Sequence, residues 1–265
     1  AVYKTPILGT TPHDIDRAED RNTFSKLLDT LHIAQPEWSE FKNIKDALSF
    51  AKKVSFPVLI RPSYVLSGDA MSVSYTPEDL KTFIDKAAIV NSEHPITVSK
   101  FIEHAREIEL DGVAQDGELI HYAVSQHIEN AGVHSGDASI TYPSYQLYTH
   151  YERDITQIGR KIAKELNISG PFNIQFLARE GKVYVIEANL RASRTFPFIS
   201  KATGVNMASL LVDAIFKKGK VQERTYPDFY LVKVPQFSFS RLEGADPLLR
   251  VEMASTGEAA AFGDT

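Results

Sequence analysis

Two β-hairpin patterns in the second half of the chain constrain its fold most strongly. Residues 107–127 contain two alternating segments around the turn signal Asp116-Gly117. Residues 172–188 contain two more around Glu180-Gly181-Lys182. Because strands joined by short turns pair antiparallel, these segments predict a larger antiparallel sheet.

The other patterns alternate between helix and strand. Apolar periodicity predicts helices over residues 11–31, 44–54, 77–89, 149–166 and 206–217, and strands over residues 56–60, 71–75 and 96–102. A mixed tail over residues 230–262 is expected at the edge of the domain. Together these patterns predict an α+β chain whose two lobes meet near residue 105, with the smaller sheet first.

Composition excludes several classes of chemistry. The chain has no cysteine, so thiol nucleophiles, disulfides and cysteine-ligated metals are excluded. Its 29 basic and 34 acidic residues give a net charge of −5, a weak match for nucleic acid or an anionic membrane. No Walker loop, G-x-G-x-x-G, G-x-S-x-G or H-E-x-x-H motif occurs. No signal peptide or bilayer-spanning apolar run is expected.

The second hairpin carries the most informative polar side chains. Asn173 and Gln175 share one strand face, and Val185 and Glu187 are expected to share one face of the returning strand. A three-residue turn places Gln175 opposite Glu187, whereas a two-residue turn shifts this pairing by one residue. With Asn189 just beyond, the hairpin predicts an oxygen-only cluster of the kind that Mg²⁺ prefers.

Arginines adjoin this cluster. Arg191 and Arg194 follow Asn189, and Arg61 ends an apolar strand. Guanidinium groups beside a metal site are the combination that phosphoryl transfer needs. The spacing fits equally a polar hairpin end with Arg–Glu salt bridges, and Arg61 alone fits a strand-end charge in solvent.

Carboxylates also line an earlier strand. Glu107, Glu109 and Asp111 share one face, an arrangement compatible with glycoside hydrolysis, with binding of a nucleotide ribose, or with a solvated strand face. The polar segment over residues 126–137 contains histidine, serine and aspartate, but adjacency along the chain does not make a catalytic triad. A polar loop held by its own hydrogen bonds is the alternative.

Six motifs occur in order. They are A-E-D-R at 18–21, P-V-L-I-R-P-S-Y-V-L-S-G at 57–68, A-R-E-I-E-L-D at 105–111, G-V-H-S-G-D at 132–137, G-P-F-N-I-Q-F at 170–176 and E-A-N-L-R-A-S-R-T-F-P-F-I-S-K-A-T-G at 187–204. Together they resemble the ATP-grasp domain of the carbamoyl-phosphate synthetase large chain over nearly the whole sequence. The S-Y-V-L-S-G and A-G-V-H-S-G-D forms resemble its second, carbamate-phosphorylating unit. The tail over residues 233–258 resembles the eukaryotic multifunctional proteins of pyrimidine synthesis.

The resemblance implies an α+β ATP-grasp fold with two lobes, each with a mainly antiparallel sheet and helices, and with the nucleotide between them. It implies phosphorylation of carbamate to carbamoyl phosphate with ATP and Mg²⁺ or Mn²⁺. It divides the chain into an arm over residues 1–20, a smaller helix-rich lobe over 21–104, a larger β-rich lobe over 105–235, and an edge segment over 236–265 leading to a regulatory domain.

The resemblance also implies roles for individual residues. The metal ligands are Gln175, Glu187 and Asn189, and the catalytic set is Arg191, Arg194 and Asn189. The ATP-binding residues are Arg21, Arg61, Ser99, Lys100, Ile102, Glu107, His127, Gly132, Val133, His134, Ser135, Gln175 and Glu187. In this set Glu107 binds the ribose and residues 99–102 lie beside the adenine. Gln126 departs from the family, which usually has glutamate there, so a charge is expected to be lost near the site.

Expected partners are the first ATP-grasp unit, a regulatory domain and a glutaminase domain or subunit, with a homodimer also compatible and no nucleic acid or membrane. The expected location is the cytoplasm, or alternatively the mitochondrial matrix.

Two alternative functions stay open. One is another ATP-grasp ligase such as a biotin-dependent carboxylase, against which Y-V-L-S-G and G-V-H-S-G-D argue. The other is a nucleotide-binding or dimerising module that is inactive without its other half.

Overall fold

The computed structural model describes residues 7–62, 71–90, 96–145, 147–222, 226–238, 251 and 253–264. Its helices are α1 (Pro12–Glu19), α2 (Arg21–Thr30), α3 (Ile44–Val54), α4 (Pro77–Val90), α5 (Thr149–Glu165), α6 (Phe196–Thr203) and α7 (Met207–Ile215). Its strands are β1 (Trp38–Phe41), β2 (Val58–Pro62), β3 (Ser72–Ser74), β4 (Ile96–Lys100), β5 (Arg106–Gln115), β6 (Glu118–Asn130), β7 (Ile140–Tyr142), β8 (Gly170–Arg179), β9 (Lys182–Asn189), β10 (Tyr230–Gln236) and β11 (Gly257–Gly263). Among the helices of these ranges, none has the length and hydropathy that a bilayer span requires.

The strands form two antiparallel sheets, which confirms the predicted α+β class. The smaller sheet has the order β1-β4-β2-β3 and the larger sheet has the order β11-β10-β7-β6-β5-β8-β9. The strands β1 and β7 and the helix α6 were not predicted. The S-Y-V-L-S-G loop over residues 63–68, whose position after Arg61 is compatible with closing over phosphates, lies outside the described residues.

The N-terminal helical segment is two helices rather than the single helix expected over residues 11–31. Thr11 begins α1 as predicted, since its hydroxyl accepts the Asp14 amide at 3.2 Å. A second cap at Asp20 ends α1, because its backbone is extended and its carboxylate accepts the Thr23 amide at 2.7 Å. Arg21 therefore becomes the first residue of α2.

The two faces of the larger sheet bury different side chains. One face packs against α2 and α5 through an apolar core that contains Phe24, Leu28, Ile108, Leu110, Ile155, Ile162, Phe172, Ile174 and Phe176. The other face packs against α6 and α7 through Val113, Ile120, Tyr142, Ile199, Met207, Leu210 and Leu231. On the strand β5 this second face continues from Val113 into three acidic side chains. The apolar layer thus ends where the polar site begins.

The packing differs from the sequence-based division at two places. Helix α2 lies in the core of the larger sheet, although residues 21–104 were assigned to the smaller lobe. Strand β11 is the edge strand of the larger sheet, although residues 236–265 were assigned to a separate edge segment. Within the described ranges, the buried residues in the core of the smaller sheet come from α3, α4, β2 and β4.

The turn between β8 and β9 is shorter than the three residues considered first. Arg179 pairs with Lys182, so the turn consists of Glu180 and Gly181 alone. Both residues have positive φ, 51° and 80°, as the tight hairpin turns that match strand twist require. A regular ladder from this turn would place Gln175 opposite Ile186.

A β-bulge restores the predicted pairing. Ile186 is an extra residue in β9, so that Gln175 lies opposite Glu187 after all. The bulge also reverses the faces beyond it, because Val185 and Ala188 enter the apolar core while Glu187 shares the face of Gln175. The expectation that Val185 and Glu187 share a face was therefore wrong.

Candidate active site

The carboxylate of Glu187 lies at the centre of the site. Arg21 Nη2 lies 3.3 Å from Glu187 Oε2, and Arg21 Nη1 donates to the Ile186 carbonyl at 2.6 Å. The amide of Asn189 donates to Glu187 Oε1 at 3.1 Å. Burial alone would favour the neutral acid, but the positive charges of Arg21 and Arg61 outweigh it and hold the pKa of Glu187 below its ordinary value. Glu187 is therefore ionised at neutral pH.

Arg61 approaches the same carboxylate from the smaller sheet, at the end of β2. Burial lowers the pKa of its guanidinium to about 9, and the positive charge of Arg21 acts in the same direction. The carboxylates of Glu187 and Glu107 oppose this shift. Its Nε is buried and has no hydrogen-bond partner among the residues that the structure describes. Arg61 is therefore a cation with an unused donor, as an anion-binding group would be.

The acidic face of β5 is buried rather than solvated. Glu107 and Glu109 flank His127, with the histidine Nε2 2.9 Å from Glu109 Oε1 and its Nδ1 4.0 Å from Glu107 Oε2. Burial raises the pKa of Glu107 to about 7, although the neighbouring His127 opposes the shift. Burial would lower the pKa of His127, but the two carboxylates outweigh it and the pKa is raised. This hydrogen-bonded group gives no support to the glycoside-hydrolysis alternative.

Further along this face, Asp111 joins three elements. Its Oδ1 accepts from Asn173 Nδ2 at 3.1 Å and from Ser193 Oγ at 2.6 Å, and the Asn173 amide also reaches Glu109 at 3.2 Å. Burial raises the pKa of Asp111 to about 7, with the Glu109 charge acting in the same direction. The network ties β5, β8 and the segment after β9 into one rigid surface.

Lys233 is a buried cation beside these acids. It lies on β10, is fully buried, and its Nζ donates to the Ser135 carbonyl at 3.3 Å. Burial lowers its pKa, and the carboxylates of Glu109, Glu258 and Asp111 oppose that shift. Lys233 was not among the predicted site residues, although a charged residue at an inward position of an alternating apolar strand is a usable signal.

The G-V-H-S-G-D loop follows β6 and borders the site. An added Cβ on Gly132, at φ +112°, would lie 2.9 Å from the Phe101 ring, so this loop packs on the linker predicted beside the adenine. Val133 and Ser135 are half-buried in the same loop. Burial lowers the pKa of His134. The negative charge of Glu187 raises this pKa and the positive charge of Arg194 lowers it, so the ring interacts with both side chains. His134 therefore lies between the two ends of the site.

The two arginines after β9 diverge. Arg191 is exposed, and its Nη2 lies 3.5 Å from Asn189 Oδ1. Arg194 instead turns toward the last strand, where it forms an ion pair with Glu258 and donates to Ser255 Oγ at 2.9 Å. The segment before β11, which was not expected to contribute, thus holds one of the predicted phosphoryl-binding arginines.

Some predicted residues are placed away from the central cluster. Lys100 Nζ donates to the carbonyls of Ser55 and Phe56, at 2.9 and 3.2 Å. Lys100 and Ile102 line a cleft of about 300 Å³ near the β8–β9 turn. Ser99 is held in the smaller sheet between β1 and β2. These side chains therefore lie beside the site and not within the cluster of charged side chains around Glu187.

The departure at Gln126 does not remove a charge from this surface. Gln126 pairs with Ile108 in the ladder and so shares the face of the apolar core, whereas His127 faces the acids. The charge expected to be lost near the site therefore belongs to the opposite face of the sheet. Its Oε1 is buried on that opposite face, where the described part of the chain offers it no hydrogen-bond partner.

The oxygen atoms at the Glu187 end fit a hard divalent cation. Glu187 and Asn189 are in contact, and Gln175 lies directly opposite Glu187 in the ladder. Within the described ranges, no group of three or more histidine, aspartate and glutamate side chains forms a metal site. A cation here would consequently rest on one carboxylate, amide oxygens and the phosphates of a nucleotide, which is the usual way in which Mg²⁺ is held.

Curated proteins of similar sequence match almost the whole chain. The chain is 52% identical over 260 residues to the multifunctional protein pyr1-3 of Dictyostelium discoideum, covering 98% of this chain and 12% of that protein. It is 47% identical over 267 residues to the human mitochondrial carbamoyl-phosphate synthase [ammonia], covering 97% of this chain and 18% of that protein. The chain thus spans less than a fifth of the length of these relatives.

The chain is also similar to a solved structure and to a family model. The biotin carboxylase domain dimer of Hydrogenobacter thermophilus 2-oxoglutarate carboxylase, in complex with MgADP, ADP and bicarbonate, superposes with a TM-score of 0.76 at 18% identity, covering 90% of this chain and 55% of that chain. At this identity the likeness shows the shared ATP-grasp fold alone. The family model of the carbamoyl-phosphate synthase L chain ATP-binding domain matches residues 20–215. The chain accordingly belongs to the family of carbamoyl-phosphate synthase large-chain ATP-binding domains.

Proposed function

We propose that this domain transfers the γ-phosphoryl group of ATP to carbamate, giving ADP and carbamoyl phosphate. One observation carries the proposal: Arg21 from α2 and Arg61 from β2 converge on the ionised Glu187 beside Asn189. Cations from two different elements around a carboxylate–amide oxygen cluster suit a polyphosphate with its divalent cation. The similarity to a carbamoyl-phosphate synthase, and the match to the synthase family model, support carbamate as the acceptor.

Carbamate is already an anion, so the reaction needs no strong general base. A carbamate oxygen forms the new bond to the γ-phosphorus as the bond to the ADP oxygen breaks, and the obstacle is the approach of two anions. Arg21 and Arg61 would bind the phosphates, while Arg191 and Arg194 would neutralise the transferred group. Glu187, Asn189 and Gln175 would hold Mg²⁺, or Mn²⁺, which supplies charge neutralisation and alignment of the phosphates.

The remaining expectations extend this proposal. Glu107 would accept a ribose hydroxyl, and residues 99–102 with the Gly132 loop would enclose the adenine, supported by the contact between Gly132 and Phe101. We also propose a lobe division after residue 104, with α2 packed on the larger lobe. Further synthetase domains, a glutaminase and a regulatory domain are the proposed partners, since the relatives are far longer. The pyrimidine-type, cytoplasmic setting is proposed over the mitochondrial one because of the tail motif over residues 233–258.

The direct test follows the reaction in both directions. We expect the protein to form ATP from ADP and carbamoyl phosphate, and to release ADP from ATP faster with carbamate than with bicarbonate. A preference for bicarbonate would contradict the proposal in favour of a carboxylase-type ligase. Calorimetric binding of Mg²⁺·ATP without turnover in either direction would contradict it in favour of a binding module.

The ribose-binding role of Glu107 predicts a pH dependence. Since burial places its pKa at about 7, Glu107 is mostly neutral at pH 6 and mostly ionised at pH 8. A carboxylate accepts a hydroxyl hydrogen bond more strongly than the neutral acid does, so ATP affinity should rise about fivefold across this range. Calorimetry of wild type and Glu107→Gln at both pH values measures it.

The glutamine variant corrects for titration of the nucleotide itself, and Glu118→Gln, at an exposed position, is the matched control. We expect the control to keep the wild-type pH dependence and Glu107→Gln to lose its additional component. An equal pH dependence in Glu107→Gln and wild type would exclude Glu107 as the titrating ribose ligand.

A further inference from the structure

The carboxylate of Asp137 holds the segment that precedes β11. Asp137 is fully buried, and its Oδ2 and Oδ1 accept the backbone amides of Ala254 and Ser255 at 2.7 and 2.8 Å. Two hydrogen bonds from successive amides to one carboxylate fix both the position and the orientation of that segment. The G-V-H-S-G-D loop and the edge of the sheet, about 117 residues apart in sequence, are joined at this point.

The anchored segment in turn holds Arg194. Ser255 Oγ donates to the Gly136 carbonyl at 3.0 Å and accepts from Arg194 Nη1 at 2.9 Å. Glu258, three residues further along, forms the ion pair with Arg194 Nη2. Each nitrogen at the end of this guanidinium thus has a partner supplied by the segment that Asp137 fixes.

The fit at this junction is tight. A Cβ added to Gly136 would lie 2.7 Å from Met253 Sδ and 2.9 Å from Arg194 Nη1, so the loop, the segment and the guanidinium are in direct contact. The loop is also held by its own backbone, since the Asp137 amide donates to the His134 carbonyl at 2.8 Å. Asp137 consequently has little freedom to move independently of Arg194.

We infer that Asp137 is a positioning residue for phosphoryl transfer: it aligns Arg194 through the segment that contains Ser255 and Glu258. The inference rests on the proposed function, in which Arg194 neutralises the transferred group. Both carboxylate oxygens of Asp137 are engaged by the amides of this segment, so its loss should lower the turnover number and leave nucleotide affinity nearly unchanged.

The test compares Asp137→Asn and Ser255→Ala with wild type in ATP formation from ADP and carbamoyl phosphate. We expect kcat to fall about tenfold for each, the rate equivalent of one hydrogen bond to a charged group. The Kd for Mg²⁺·ATP should stay within about twofold of wild type. Asp154→Asn, at a half-buried position on α5 where the side chain contacts only Arg153 among the ion pairs of the described residues, is the matched control and should retain full activity. If Asp137→Asn fails to fold, Ser255→Ala decides the outcome, because it removes only a hydroxyl.

A double-mutant cycle separates positioning from general stability. In an Arg194→Ala background, Asp137→Asn and Ser255→Ala should cause almost no further loss of kcat, because the group that they align is already gone. Full additional losses in that background would overturn the inference, as would unchanged kcat in both single variants. A normal rate in Arg194→Ala alone would instead refute the proposed role of Arg194, and absence of transfer in wild type would refute the proposed function together with the inference.

Discussion

Replacing Glu187 with alanine should lower ATP formation from ADP and carbamoyl phosphate by at least about 10³-fold. Two effects combine. The variant loses the ionised carboxylate that would hold the divalent cation, and it leaves Arg21, 3.3 Å from that carboxylate, without its acidic partner. Without this carboxylate the charge on the transferred group is neutralised less and the phosphates are aligned less well. The rate of transfer should therefore fall more than nucleotide affinity does. Coupled detection of ATP at saturating ADP measures the effect.

Glu118→Ala is the control for this variant, since Glu118 is exposed at the start of β6, away from the site. It should retain the wild-type rate. Glu187→Ala should also keep a cooperative thermal transition, because Glu187 is only partly buried and contributes nothing to the apolar cores. Near-normal ATP formation by a folded Glu187→Ala protein would refute the assignment of Glu187 as a metal ligand.

Lys233→Met is expected to give the largest loss of stability, about 3–5 kcal/mol in the free energy of unfolding. Methionine is an unbranched side chain of nearly the same length, but it removes the positive charge that compensates the buried carboxylates of Glu109 and Asp111. The pKa of Asp111 is about 7, so this acid is largely neutral at pH 6 and ionised at pH 8. The destabilisation should therefore be larger at pH 8 than at pH 6.

Urea unfolding at both pH values tests this expectation. Lys161→Met, at an exposed position of α5, serves as the control and should change the free energy of unfolding by less than about 0.5 kcal/mol. A loss below about 1 kcal/mol in Lys233→Met, equal at the two pH values, would show that the lysine charge does not compensate the acids.

Periodicity was sufficient to predict the second hairpin and its polar face, but not its register. The pairing of Gln175 with Glu187 was reached through a three-residue turn, whereas the protein combines a two-residue turn with a bulge at Ile186. Both routes give the same pair, because one extra residue in either place shifts the ladder equally. Alternation alone cannot locate a bulge, and for this reason the shared face of Val185 and Glu187 was predicted wrongly.

Contacts between distant segments account for most of what the sequence did not predict. Lys233 and Glu258 meet the acids and Arg194 only after the last two strands join the sheet edge. The local sequence around Lys233 and Glu258 indicates strands and a turn. It does not indicate which side chains of other strands lie opposite these two residues. The divergence of Arg191 and Arg194 has the same origin, since it depends on the partner that each arginine finds across the fold.

The bulge at Ile186 has a consequence for how this hairpin can vary. The carbonyl of the extra residue, Ile186, accepts a hydrogen bond from Arg21, and the next residue is Glu187. One backbone irregularity therefore determines both the hydrogen bond that holds Arg21 and the face on which the carboxylate lies. Identity at position 186 matters less than the number of residues between the turn and Glu187. Inserting one residue there would direct Glu187 into the apolar core, whereas inserting two would return it to the same face. The geometry of the site thus depends on the number of residues between the turn and Glu187.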